Sequence, residues 1–191
     1  DPVADKLLNS SAFIMLASAL IYAYVLMGSN GAVKLAAFNV FSADWFQYAA
    51  IFLAVMFILL PGLFWLAVRA GNPGLAVTRK RFALDSTALI PLGLMFWVAF
   101  SLAFVLTNAT YIAATLSDPL GLGWNLFGAA GIAWQPLLST WVLPAQTLVL
   151  AGGLAWSTST ARKTASQARI SSLPVIVYCL LATIVMLGLL L

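Results

Sequence analysis

Long apolar runs recur along the chain, each bounded by a short polar or glycine-rich stretch, and their lengths predict the architecture. A hydrocarbon core of ~30 Å is crossed by ~20 helical residues rising ~1.5 Å each. Runs of that order occupy about 11–27, 48–68, 82–106, 137–156 and 173–191. The pattern therefore predicts an all-α integral membrane protein, a single domain built as a bundle of about five transmembrane helices.

The punctuation between the runs refines this. Gly28-Ser29-Asn30-Gly31 ends the first run, and Asn9 and Ser10 are available to cap its start. No small-residue cleavage pattern follows a short apolar core, so this is expected to be a retained helix and not a signal peptide. Residues 32–45 mix Lys34, Asn39 and Asp44 with Phe38, Phe41 and Trp45, a composition suited to the headgroup zone as an interfacial loop or short helix. The second run carries Pro61-Gly62, which removes a backbone donor and predicts a kink. Gly71-Asn72-Pro73-Gly74 signals a turn before the third run. Asp85 stands four residues after Arg81 there, so the two can meet on one helical face as a capping and interface pair. Between residues 107 and 136 there is no cation. The apolar, glycine-bearing residues 119–134 are too few to span, which predicts an interfacial or re-entrant segment between spans three and four, with a short sixth span as the alternative. Residues 157–172, rich in Ser and Thr, read as a polar loop.

Charge orients the bundle. The chain has 9 Lys+Arg, 5 acidic residues and no His, for a net charge of +4. Cations are retained on the cytoplasmic side of a bilayer. The N-terminal stretch with Lys6, residues 69–81 and residues 157–172 hold every cation except Lys34, so these are expected in the cytoplasm and residues 28–47 and 107–136 outside. That threading puts the N-terminus in the cytoplasm and the C-terminus outside, in a bacterial inner membrane. The cluster Arg79, Lys80 and Arg81 is expected to hold lipid headgroups, since each cation near an anionic surface contributes ~1 kcal/mol. The positive balance is read as this loop bias, with no nucleic-acid partner.

Composition narrows the chemistry. With 63% hydrophobic and 7% charged residues and a mean hydropathy of +1.05, the polar surface is too small for a water-soluble domain. The lack of His and Glu and the single Cys179 leave no side-chain set for a haem ligand pair, a carboxylate-bridged metal or a thiolate cluster, so no catalytic or metal site is expected. Lipid, quinone and pigment are the cofactor classes left to such a bundle. Mid-depth polar positions are Gln146, Thr147, Ser101 and the Pro61-Gly62 break, and Gln146, the only amide among them, could contact a quinone or solute, against the plainer expectation that its amide bonds across a helix–helix contact. Pro144 and Gly152-Gly153 on the same run favour close approach of a neighbour. The opening residues Asp1 to Asp5 read as a processed terminus or as the start of an ordered piece of a longer chain.

The run from Trp141 to Ser157, followed by a basic stretch and the helix start Leu173-Pro174, resembles the C-terminal membrane region of bacterial membrane-bound polyferredoxin-type iron–sulfur proteins, over residues 141–191. The Cys-rich cluster-binding segments of that family are missing here, so no cluster ligand carries over to any position. The resemblance implies a membrane domain of an electron-transfer system whose cofactors are held elsewhere. The expected function is a non-catalytic membrane-embedded subunit of a respiratory or photosynthetic complex, with lipids and other membrane subunits as partners; a small secondary transporter or channel is the alternative.

Overall fold

The computed structural model describes residues 2–27, 31–71, 77–136, 138–168 and 170–191, and the side chains of 11–27, 33–71, 77–136, 138–167 and 170–191. The described residues are helical, with no strand: α1 (Pro2–Met27), α2 (Gly31–Phe38), α3 (Ala43–Ala54), a π turn (Val55–Leu59), α4 (Leu60–Ala70), α5 (Arg79–Ser86), α6 (Leu89–Thr107), α7 (Ala109–Ser117), α8 (Ser139–Ala168) and α9 (Leu173–Leu190). Among the described residues, three helices are long and apolar enough to cross a membrane: Ala43–Ala70 (α3, the π turn and α4), Arg79–Thr107 (α5 and α6) and Leu173–Leu190 (α9). The apolar part of α1, Ser11–Met27, is shorter. Helix α8 has 30 residues, but Pro144, Gln146 and Thr147 and then a Ser/Thr run dilute its apolar character.

Pro61 and Pro91 each change the helix just before them. Pro61 cannot donate to the carbonyl four residues back, and the chain before it relaxes into the π turn, closed by Leu60 N–H on the Val55 carbonyl. Pro91 does the same to the carbonyl of Thr87, and there the helix opens into the 87–88 turn between α5 and α6. The residues Asn9 and Ser10, expected as caps, lie inside α1, which starts at Pro2, a residue preorganised for a first helical position.

The core is the seam between α1, α6, α8 and α9, with α6 and α8 in the most extensive contact. Glycine decides two of its approaches. A Cβ added to Gly93 would lie 3.1 Å from Met15 Cβ on α1, and one added to Gly153 would lie 2.6 Å from Met95 Cβ on α6. Gly152 faces open space. At one end, Phe64 packs edge-on to Phe13, Phe82 and Tyr178 at 5.5, 5.4 and 5.2 Å, tying α1, α4, α5 and α9 together. Gly71, at the end of α4, lies against the Ser171 carbonyl just before α9, so these chain ends share one end of the bundle.

Two expectations are corrected. Residues 157–168 are the last turns of α8 and not a loop, and residues 118–136 contain no helix, so no sixth helical span exists there. In the second case Gly121, Gly123 and Gly128 adopt φ of +65°, +81° and +72°, which a right-handed helix cannot accommodate. The short-helix form of the 32–45 expectation is realised as α2. The stop at 28–30, the turn at 72–74, the start at residue 137, and the charged side chains of residues 5, 6 and 169 lie outside what is described.

Candidate functional site

Three places concentrate polar chemistry, and each is built by different elements. The first is the α6–α8 seam. One stripe of α8 (Gln146, Leu150, Gly153, Ser157, Ala161 and Ala165) is buried from residue 146 to residue 165. Gln146 is 2% exposed, and its amide donates from Nε2 to the carbonyl of Ala99 on α6 at 2.9 Å. Three turns on, the Ser157 hydroxyl donates to the Ala88 carbonyl at 2.6 Å, at the break between α5 and α6, and lies 3.2 Å from Cys179 Sγ on α9. Ser157, fully buried, thus joins α8 to the α5–α6 break and to α9. The sequence reading missed it because it stands at the boundary assigned to a loop.

The second place is the mouth of α5. Thr78 caps the helix, its Oγ1 accepting from Arg81 N–H at 3.2 Å. Arg79 and Lys80 are exposed, but Arg81 turns inward onto Asp85 with two charge-assisted bonds, Nε to Oδ2 at 2.7 Å and Nη2 to Oδ1 at 2.6 Å. Asp85 is only 4% exposed, so this fork compensates a carboxylate withdrawn from water. The three cations expected to act together on headgroups are therefore divided: two face outward and one is committed to an internal pair. Among the described residues no cluster of potential metal ligands occurs.

The third place was not singled out from sequence. A lateral groove of about 760 Å³ lies between α1, α2, α3 and α9. One face of α3 and the first residue of the π turn line it with Asp44, Gln47, Tyr48, Ile51, Phe52 and Val55, spaced at i, i+3, i+4, i+7, i+8 and i+11. That spacing was visible in the chain, but the boundary placed at residue 48 cut the stripe in two. Ser42 starts α3 by accepting from Trp45 N–H at 3.1 Å, which sets Asp44 in the first turn. A second apolar groove of about 540 Å³ continues the first along α4 and α9, sharing Leu20, Leu60 and Val185 with it.

The apolar segment 118–136 is held by side chains on its own backbone. Ser117 Oγ accepts from Phe127 N–H and Ala129 N–H and donates to Asn125 Oδ1, while Asp118 accepts from Leu122 and Gly123 N–H. Thr110 and Gln135 exchange two bonds at 3.0 Å, closing the segment onto α7. Its large side chains, including Leu122, Trp124 and Phe127, stay exposed. No protein-family model, curated protein or solved structure matches this chain.

Proposed function

We propose that the chain is a non-catalytic membrane-embedded module of a bacterial electron-transfer complex, threaded through the inner membrane five times and packed against cofactor-bearing subunits. The observation that carries this reading is how the polar groups at depth are used. Gln146 is bonded to Ala99, Ser157 to Ala88, Trp97 Nε1 to Ser18 Oγ and Tyr178 to the Leu60 carbonyl, each across a helix–helix contact. Every buried side-chain nitrogen and oxygen among the described residues has a partner. A solute pathway needs polar groups that converge on a cavity, whereas these close the bundle on itself. Large apolar side chains are instead exposed outward, as at Phe57, Ile58 and Leu148, which suits lipid and neighbouring helices.

The five-span count adds α1 and α8 to the three helices that qualify by length and composition. At ~1.5 Å per residue, α1 and α8 reach ~39 and ~45 Å, enough to traverse the core. The cytoplasmic assignment of the end bearing Arg69, Arg79 and Lys80 follows the cation bias, and the electron-transfer context follows the resemblance at 141–191. Purification in mild detergent, followed by intact-complex mass spectrometry and an optical spectrum, tests the assignment. Co-migrating subunits with haem or iron–sulfur absorption are expected; a lone monomer or homodimer that drives solute uptake in proteoliposomes would replace this function with transport.

A further inference from the structure

The groove on α3 is graded along its length. Asp44, Gln47 and Tyr48 give the first two turns of α3 a polar edge, and below them the wall is Ile51, Phe52 and Val55, then Leu59 and Leu60. Helical stepping alone would carry the stripe from Val55 to residues 58 and 59; the extra residue of the π turn shifts the register by one, so that Leu59 and Leu60 line the groove. The sixteen steps from Asp44 to Leu60 cover ~24 Å, of which the polar edge takes ~6 Å. The remaining ~18 Å matches one leaflet of a ~30 Å hydrocarbon core.

The wall at the mouth carries a single charge, Asp44, which is exposed and, among the described side chains, in no ion pair; Lys34 on α2 does not line the groove. An anionic headgroup would bring like charge to Asp44, and a neutral ring would leave it uncompensated. An ammonium headgroup answers it, with Gln47 and Tyr48 as hydrogen-bonding neighbours. We propose that this groove is a dedicated site for one amine-headed phospholipid from the leaflet at which α3 begins, its ammonium on Asp44 and an acyl chain along Ile51 to Leu60.

The site requires a membrane setting but not an electron-transfer complex, so its test is separate from co-purification. The protein, purified as it occurs in the membrane and then delipidated, is titrated with phosphatidylethanolamine, phosphatidylglycerol and a short-chain ubiquinone, and bound ligands are counted by native mass spectrometry. One phosphatidylethanolamine is expected to bind about tenfold more tightly than phosphatidylglycerol, the difference a charge-assisted bond supplies. Asp44→Asn should abolish that preference while leaving the protein folded, because residue 44 is exposed. Ile51→Trp, filling the groove from α3, should exclude the lipid, and Val185→Phe should do so from α9 if the first variant does not fold. Equal binding of phosphatidylglycerol, an unchanged preference in Asp44→Asn, or one-for-one displacement by the quinone would overturn the assignment.

Discussion

At Gly153 a single added methyl would overlap Met95, and that contact, more than the amide nearby, sets how closely α6 and α8 approach. Gly153→Leu is expected to lower stability in detergent by about 1–3 kcal/mol through overpacking. Gln146→Leu should cost only about 1 kcal/mol, the usual worth of an interhelical bond in a membrane. Chemical unfolding of both variants in one detergent checks the order, and a larger loss at Gln146 would mean its amide has a second, unseen role. The Arg81–Asp85 fork gives a sharper residue-scale case. Arg81→Met alone strands a buried carboxylate and should destabilise by about 3 kcal/mol, whereas Arg81→Met with Asp85→Leu should recover most of the loss. Equal destabilisation by the single and double variants would show that the carboxylate is already compensated elsewhere. Asp85 was legible as a partner from its spacing alone; the commitment of Arg81 to it, away from Arg79 and Lys80, was not, because spacing says which side chains can meet and not which neighbour each prefers.

For elements, α8 is the instructive one. A Ser/Thr run with Arg162 and Lys163 reads as loop by composition, yet Thr158, Ser159, Thr160 and Thr164 each donate to a carbonyl three or four residues back and so bring their own acceptors. The buried stripe also continues through Ser157, Ala161 and Ala165, so the helix is anchored past the point where its apolar character ends. Single cysteines scanned through 157–167 in a Cys179→Ala background should label with a period of 3.6, slow at 161 and 165 and fast at 162, 163 and 166; uniform fast labelling would restore the loop. The segment 118–136 shows the converse, since an apolar run expected to lie on or in the membrane as a unit is irregular because three glycines turn it. Its hub is Ser117, buried and bonded to three partners. Ser117→Ala should cost about 1–3 kcal/mol locally, seen as faster amide exchange at Phe127 and Ala129 with exchange in α9 unchanged.

For the whole molecule, the basic stretches at the end of α4 and the start of α5 meet the end of α8 and start of α9 at one end of the bundle, while Thr110 and Gln135 close the other. Cation bias then predicts that cysteines at Thr78 and Ser166 react with an impermeant maleimide only after lysis, and one at Leu122 reacts on intact cells. Reaction at 166 but not at 122 in intact cells would invert the threading.

Helical class, approximate helix positions and apolar lengths that could cross a membrane were already present in the chain, because apolar length acts on each segment separately, through its own transfer into the bilayer. Pairing was different in kind. Which helix Gln146 bonds, which approach needs Gly153 and not Gly152, and how Asp44, Gln47 and Tyr48 come to head a groove walled by α1, α2 and α9 depend on the relative placement of elements far apart in sequence. Inside a hydrocarbon core apolar faces are nearly interchangeable, so hydrophobic pattern gives little guidance on which helices associate. Close packing at small residues, the satisfaction of a few polar atoms and the register shift of one π turn made that choice, and they act only once the helices are side by side.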